Sequence, residues 1–450
     1  MATTRVTASP DLSELPPADV RPARASALDI GRVAARVVVP MAGIGLIKRR
    51  PRAMSVAQRL QPDRSAIRLL GDLRGRYGPG PLDVSVPGRP FQLLLDPAQV
   101  GRLLADAPTP FSPDTTEKAA ALRHFQPHGV LISQGDTRAR RRDLNESVLQ
   151  PGRAAHELAG SWTKLVRDEA QEMLCDGPEL DATRFTEHFW AIVRRIVLGG
   201  DTTADRRVTD LLGRLRLDAN WAYAHPRRGD ERRRFLSLLT RQLDLDRPGS
   251  LGAAVRGHPA DPDLDPVGQV PHWLFAFDAA SLVTFRALAL LVAHPDELAR
   301  AHAEADRADL STPQQLPYLR ACVLESIRLW PTTPALLRES TEDTDWGPAG
   351  TTMLVYTPFF HRDPDILPYA DSFSPDIWLD GQAAANPALV PFSAGPAVCP
   401  GRDVVLFTTS TLLAALLQLA SFGPRGNAAD LRPGRLPATL DHFGIRFALT

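Results

Sequence analysis

Phe392-Ser393-Ala394-Gly395-Pro396-Ala397-Val398-Cys399-Pro400-Gly401 is the stretch on which the reading of this chain turns. It is a tight loop with a single cysteine near its tip. Gly395 and Gly401 permit unusual backbone angles, and Pro396 and Pro400 stiffen what lies between them. An apolar run follows, from Val404-Val405-Leu406-Phe407 to Leu412-Leu413-Ala414-Ala415-Leu416-Leu417, long enough for a buried helix rather than a strand. Cys399 therefore stands just before a predicted helix N-terminus, where the dipole and free N–H groups favour an anion. A thiolate there is a good soft ligand for iron. A buried free cysteine in a turn is the plainer reading of any lone cysteine. The framing of the loop, the helix after it and the upstream partners described below favour the ligand.

The rest of the composition narrows the class. The chain has 450 residues, 44% of them hydrophobic, and 52 basic residues balance 52 acidic ones. That excludes a disordered protein and gives no reason to expect a nucleic-acid partner. Cys175, Cys322 and Cys399 are far apart and odd in number, which is neither a disulfide framework nor a zinc set. A reducing compartment, the cytoplasm, is the expectation. The apolar piece Val37–Ile47 is too short to span a bilayer, and Lys48-Arg49-Arg50 follows it, the wrong order for a signal peptide. Membrane contact is not expected.

Residues 1 to about 27 lack periodicity, and 1–53 read as an N-terminal tail, partly disordered, ahead of one large domain at 54–450. Residues 54–77 are helical in pattern. The stretch Pro81–Leu95 alternates, turns at Pro87-Gly88 and alternates again, a β-hairpin. Asp96-Pro97 starts a helix. Residues 107–135 form a long loop with a short helix, the kind of segment that is often functional. Helical patterns follow at 153–175, 182–198, 202–222 and 229–245. Four arginines open the helix that begins near Asp136; they read as a solvated face unless a group bearing carboxylates meets them.

Two further elements carry chemistry. Residues 267–293 are a helix apolar on most sides, with Asp278 in its middle, and a buried carboxylate must be paired, protonated or wetted. Leu319–Trp330 is a helix in which Glu325 and Arg328 share a face and can pair. Alone, such a pair is common.

Together these pieces resemble the cytochrome P450 superfamily of haem-thiolate monooxygenases, over about residues 55–450. The loop matches Phe-x-x-Gly-x-x-x-Cys-x-Gly at Phe392, Gly395, Cys399 and Gly401. Glu325 and Arg328 match Glu-x-x-Arg, and Leu329-Trp330-Pro331, Pro334 and Arg338 look like the exit from that helix. His361-Arg362-Asp363-Pro364 and Phe373-Ser374-Pro375 with Trp378 resemble the segment before the haem loop. The helix at 267–293 resembles the one crossing the distal face of the haem. The resemblance implies a mainly α fold with a small β region, one haem b ligated by Cys399, and Arg140 and Arg338 as propionate partners. It implies a monomeric, soluble bacterial-type oxidoreductase that acts on a small hydrophobic substrate with O2. A separate ferredoxin would supply electrons, docking at a basic surface near Arg402 and the arginines at 138–142. Specialised metabolism is the expected setting.

The sequence departs from the family pattern in four places. The distal acid is present as Asp278, but Ala279 stands where a threonine usually helps deliver protons, followed by Ala280 and Ser281. Water, Asp278, Ser281 or a substrate hydroxyl must then serve; alternatively the chain is a peroxygenase, or an isomerase or dehydratase that activates no oxygen. Ala397 replaces the usual arginine or histidine two residues before the cysteine. The helix near Asp136 lacks the usual histidine or tryptophan. The family's Pro-x-Arg reads Pro375-Asp376-Ile377, with Arg362 a possible substitute.

Overall fold

The hairpin at Pro87-Gly88 seeds the larger of two sheets. The computed structural model describes residues 10, 12, 21–222, 224–258, 261 and 263–450. Among them the strands are β1 (Ala23–Arg24), β2 (Leu82–Asp83), β3 (Phe91–Leu93), β4 (Phe111–Ser112), β5 (Glu179–Asp181), β6 (Ala335–Ser340), β7 (Thr352–Tyr356), β8 (Phe422–Gly426) and β9 (Ile445–Leu449). The chain forms two compact units. The first comprises Met1–Thr115, Leu324–Cys399 and Leu431–Asp441, and the second Thr116–Val323, Pro400–Asp430 and His442–Thr450.

The first unit is built on a six-stranded sheet in the order β1-β2-β3-β7-β6-β4. β2 and β3 are the predicted hairpin, with Leu82 opposite Leu93 and Gly88 at φ +77 in its turn. β3 runs parallel to β7, which pairs antiparallel with β6. Asp96 caps the next helix, Pro97–Ala105, by accepting from the Ala98 N–H. The 54–77 helix is two helices, Pro51–Leu60 and Pro62–Tyr77, broken where Gln61 takes a left-handed φ before Pro62. The second of these buries Ile67, Leu70 and Leu73 against Leu93, Val100 and Met353.

Residues 1–9, 11 and 13–20 of the sequence-predicted tail lie outside the described residues. From Ala23 onward the tail is strand and helix. Ser26 caps Ala27–Val33, and the helix runs on to Ile44 through a π-helical turn at Ala34–Val38. Val33, Val37 and Met41, spaced by four, enter the core of the first unit, while Leu28, Val38 and Val39 stay exposed. Interleaved arginines and Pro40 obscure that spacing in the sequence.

The second unit is mainly helical. Ala159–Cys175, Ala182–Leu198, Thr203–Ala219 and Gly229–Leu243 fall where the periodicity places them. Its antiparallel sheet, β5-β9-β8, had no clear sequence signal. Asp265 caps the long helix Pro266–Ala293 through the Gly268 N–H, with Pro266 at its first position; His294-Pro295 ends it. Its middle packs on Ala182–Leu198, where Phe285 meets Phe185 at 4.7 Å and Phe447 at 5.4 Å. Pro266–Ala293 and Arg402–Leu419 are long and apolar enough to cross a membrane, but 67% and 78% of their apolar windows are buried inside the protein.

Candidate functional site

In the first unit the cysteine loop is held by backbone rather than by side chains. The Cys399 N–H donates to the Phe392 carbonyl at 2.9 Å, and the Val398 N–H to the Gly395 carbonyl at 3.0 Å. Gly395 sits at φ +64, and a Cβ there would lie 2.1 Å from the Leu104 carbonyl oxygen. Only glycine meets both conditions, so the loop is pressed against the end of the Pro97–Ala105 helix. Ser393 is also left-handed, at φ +62, and its Oγ accepts from Arg338 at 3.1 Å. Arg338, which is buried, is thereby brought to the loop that carries Cys399. The Cys399 thiol is unoxidised and partly exposed.

Glu325 and Arg328 stand behind this loop in the chain's logic, and both are sealed. Arg328 donates to both Glu325 oxygens, at 2.8 and 2.6 Å. It also donates to the carbonyls of His361, Ala370, Tyr369 and Ser372, at 2.7 to 3.2 Å. The carboxylate accepts two more bonds, from the Ser374 N–H at 2.8 Å and Trp378 Nε1 at 3.0 Å. Trp378 thus takes the place that the missing arginine of Pro375-Asp376-Ile377 leaves open. Arg362 does not reach Glu325: it pairs with Asp371 and donates to the Leu436 and Pro437 carbonyls. Burial pulls Arg362 down to about 10.

His361 closes the same network by accepting from the Val390 N–H at 3.1 Å. Burial first, then the charge of Arg328, pulls its imidazole from 6.5 down to about 3. Burial alone takes His272 in the second unit down to about 4. Unfolded imidazoles protonate near 6.5, so between there and the folded values the unfolded chain holds more protons. Stability is therefore expected to fall as pH drops from about 6.5 towards 4, by roughly a few kcal/mol. Denaturant unfolding measured at intervals across that range checks this, and His361→Gln should flatten the slope.

In the second unit the arginines of the Gly135–Leu149 helix separate by face. Arg138, Arg141, Asn145 and Val148 are buried, at helical spacings of three and four. Arg141 donates to Ser133 Oγ at 2.8 Å and to the Asp263 carbonyl at 2.9 Å. Arg140, the propionate partner expected from sequence, lies on the outer side and pairs with Asp261. Arg142 pairs with Glu146 and Arg402 with Asp403, so these arginines are not the free basic surface expected for an acidic partner. Arg138 is different. Its Nε is buried with no hydrogen-bond partner, and burial, then neighbouring Arg142, lowers its pKa. The alternation of buried positions through 145 and 148 was the signal that singles it out.

The Pro266–Ala293 helix is buried except along one stripe. His272, Phe275, Ala276, Asp278, Ala279 and Leu282 keep reachable surface, while Trp273, Leu274, Phe277 and Ala280 are buried. Asp278 is paired with Arg216 at 2.6 Å, and the Arg216 guanidinium lies 4.9 Å from the Phe275 ring centroid. Ala279 adjoins that pair. Ser281 does not join them: two residues on, it lies roughly 200° round the helix, 1% exposed, with its Oγ unbonded. Thr284 is also turned inward, donating to the Ala280 carbonyl at 2.7 Å.

Among the described residues no three His, Cys, Asp or Glu side chains gather as metal ligands. Cys399 would therefore hold a metal as a lone protein ligand, beside ligands that a cofactor brings with it. At Gly401, a Cβ would meet nothing closer than Leu149 Cδ1 at 4.0 Å, which leaves the backbone after the cysteine bare. In the first unit, buried Arg338 beside the loop suits a carboxylate. A porphyrin carrying its own iron and a propionate would fit Cys399 and Arg338.

A single cysteine on a glycine-framed loop, in a mainly helical chain with small sheets, is the arrangement a haem-thiolate protein would use. Over part of its length the chain is similar to proteins of the cytochrome P450 superfamily, whose members carry haem b. The family model "Cytochrome P450" matches residues 272–431. A probable cytochrome P450 4s3 of Drosophila melanogaster is 33% identical over 168 residues, 36% of this chain and 34% of that protein. The cyclooctat-9-en-7-ol 5-monooxygenase of Streptomyces melanosporofaciens is 35% identical over 140 residues, 28% of this chain and 30% of that protein. The matches thus span about a third of the length of these curated relatives. A zebrafish cytochrome P450 solved with abiraterone shares the fold at a TM-score of 0.67 and 18% identity, over 86% of this chain and 98% of that one.

Proposed function

We propose that this chain is a monooxygenase that oxidises a small hydrophobic molecule with O2. The cysteine loop carries the proposal: Cys399 is presented by a backbone that Gly395 alone can form. Bound haem supplies oxygen activation, with the thiolate pushing electron density toward the iron. The protein's own part is to hold the thiolate, pair the propionates and shape the pocket. Arg338, beside the cysteine loop, is the residue suited to a propionate. Phe275, Ala276 and Ala279 offer an apolar wall to the substrate. Electrons come from a separate ferredoxin, and the setting is a cytoplasmic monomer of specialised metabolism. Purified holoenzyme should show the thiolate-type carbonyl band and consume O2 with a ferredoxin and its reductase. A protein that loads no haem overturns the proposal.

One observation favours a second reading, a peroxygenase or an oxygen-independent isomerase or dehydratase. Asp278 is held by Arg216, Ala279 has no hydroxyl, and Ser281 faces away. Side-chain proton delivery is therefore left to Asp278 after it releases Arg216, or to water. Restoring a hydroxyl with Ala279→Thr is expected to raise the product formed per O2 consumed. Unchanged coupling, together with turnover on peroxide but none on ferredoxin and O2, favours the second reading.

A further inference from the structure

The partly exposed positions from His272 to Leu282 on the Pro266–Ala293 helix are apolar except at His272 and at Asp278, whose charge Arg216 meets. That imidazole is deeply enclosed and neutral at physiological pH, yet it keeps reachable surface. One ring nitrogen is already engaged: Gln126 Nε2 lies 3.0 Å from His272 Nδ1. Gln126 is 0% exposed, and its side chain packs so tightly that a Cβ at Gly129 would lie 3.1 Å from its Cδ. With the amide N–H donating to Nδ1, the ring proton resides on Nε2. Nε2 makes no hydrogen bond to the described residues and is not sealed.

The surroundings are aromatic. Phe275 lies 5.7 Å from the His272 ring and 5.6 Å from Phe125, the residue before Gln126. Arg216 covers Phe275 from another side, and its charge is met by Asp278. A neutral N–H donor at one end of an apolar stripe is thus held in a fixed tautomer. Ala279 lies seven residues further along the same side, about 10 Å away.

We propose that His272, oriented by Gln126, is the polar recognition point of the substrate. Its Nε2–H donates to a carbonyl or other acceptor oxygen on an otherwise apolar molecule. The body of that molecule lies along Phe275 and Ala276, and the oxidised carbon lies about 10 Å from the recognised oxygen. The substrate class is therefore an elongated apolar ketone, ester or comparable oxygen acceptor. This rests on the monooxygenase reading, which places the reacting carbon near Ala279.

The test uses ferric holoenzyme and two probes matched in length, 2-undecanone and n-undecane, with 2-undecanol as a third. Binding is measured by calorimetry after the carbonyl band has been recorded. His272→Phe is expected to weaken 2-undecanone about 2- to 10-fold, the worth of one neutral hydrogen bond, and to leave n-undecane unchanged. Gln126→Leu, which frees the ring, should give a smaller loss for the ketone alone. Equal losses for ketone and hydrocarbon, no loss for either, preference for the alcohol alone, or no probe binding to the wild type overturns the proposal. A missing carbonyl band would instead overturn the monooxygenase reading on which it rests.

Discussion

Replacing Arg328 by alanine is expected to cost about 3–5 kcal/mol of folding stability, the usual effect of stripping one partner from a buried ion pair. The size follows from what the guanidinium touches. It satisfies both oxygens of a carboxylate that has no contact with water, and it ties four backbone carbonyls between residues 361 and 372. Without it, Glu325 must stay charged and uncompensated or take up a proton, and the carbonyls lose their donor. A loss of that size is a large share of a typical domain's total stability. Denaturant titration of the variant measures it, and a midpoint equivalent to less than about 1 kcal/mol of loss refutes it. Trp378→Phe, which removes only one neutral donor to Glu325, should cost about 0.5–1.5 kcal/mol by the same assay.

Cys399→Ala is expected to abolish the thiolate-type carbonyl band and all turnover, while leaving the haem-free fold within about 1 kcal/mol of the wild type. The two halves of that expectation have separate causes. On the proposed reading the thiolate would be the chain's ligand to the iron, and among the described residues no group of three or more His, Cys, Asp or Glu gathers as an alternative metal site. The loop, by contrast, is held through the Cys399 N–H, the Phe392 carbonyl and the close approach of Gly395 to Leu104, none of which uses the sulfur. Carbonyl difference spectra and thermal unfolding of the haem-free forms check the two halves. A retained thiolate band sinks the ligand assignment.

The sequence carried the local part of this architecture. Periodicity located the long helices, and Gly395, Gly401 and the prolines announced a special loop. Glu325 and Arg328 were legible because three residues along a helix put them on one face. What stayed hidden were partners distant in sequence. Asp278 needed a counter-charge, but nothing local indicated Arg216. Trp378 serves Glu325 from 53 residues away. Strand β1 is two residues long and is defined by pairing with β2, which no pattern of its own predicts. In sequence the helix from Gly135 reads as one basic run; the buried spacing through Asn145 and Val148 splits it into two faces, with Arg138 on the inner one and Arg140 on the outer.

The orphaned guanidinium of Arg138 has a consequence for production of the protein. A buried guanidinium whose Nε has no hydrogen-bond partner raises the free energy of the cofactor-free chain, and whatever satisfies it stabilises the folded form by mass action. The amount of intact protein recovered from an expression host should therefore track the porphyrin supply of the culture. Feeding a porphyrin precursor should raise the yield of the polypeptide itself, and not merely the fraction of it that is coloured.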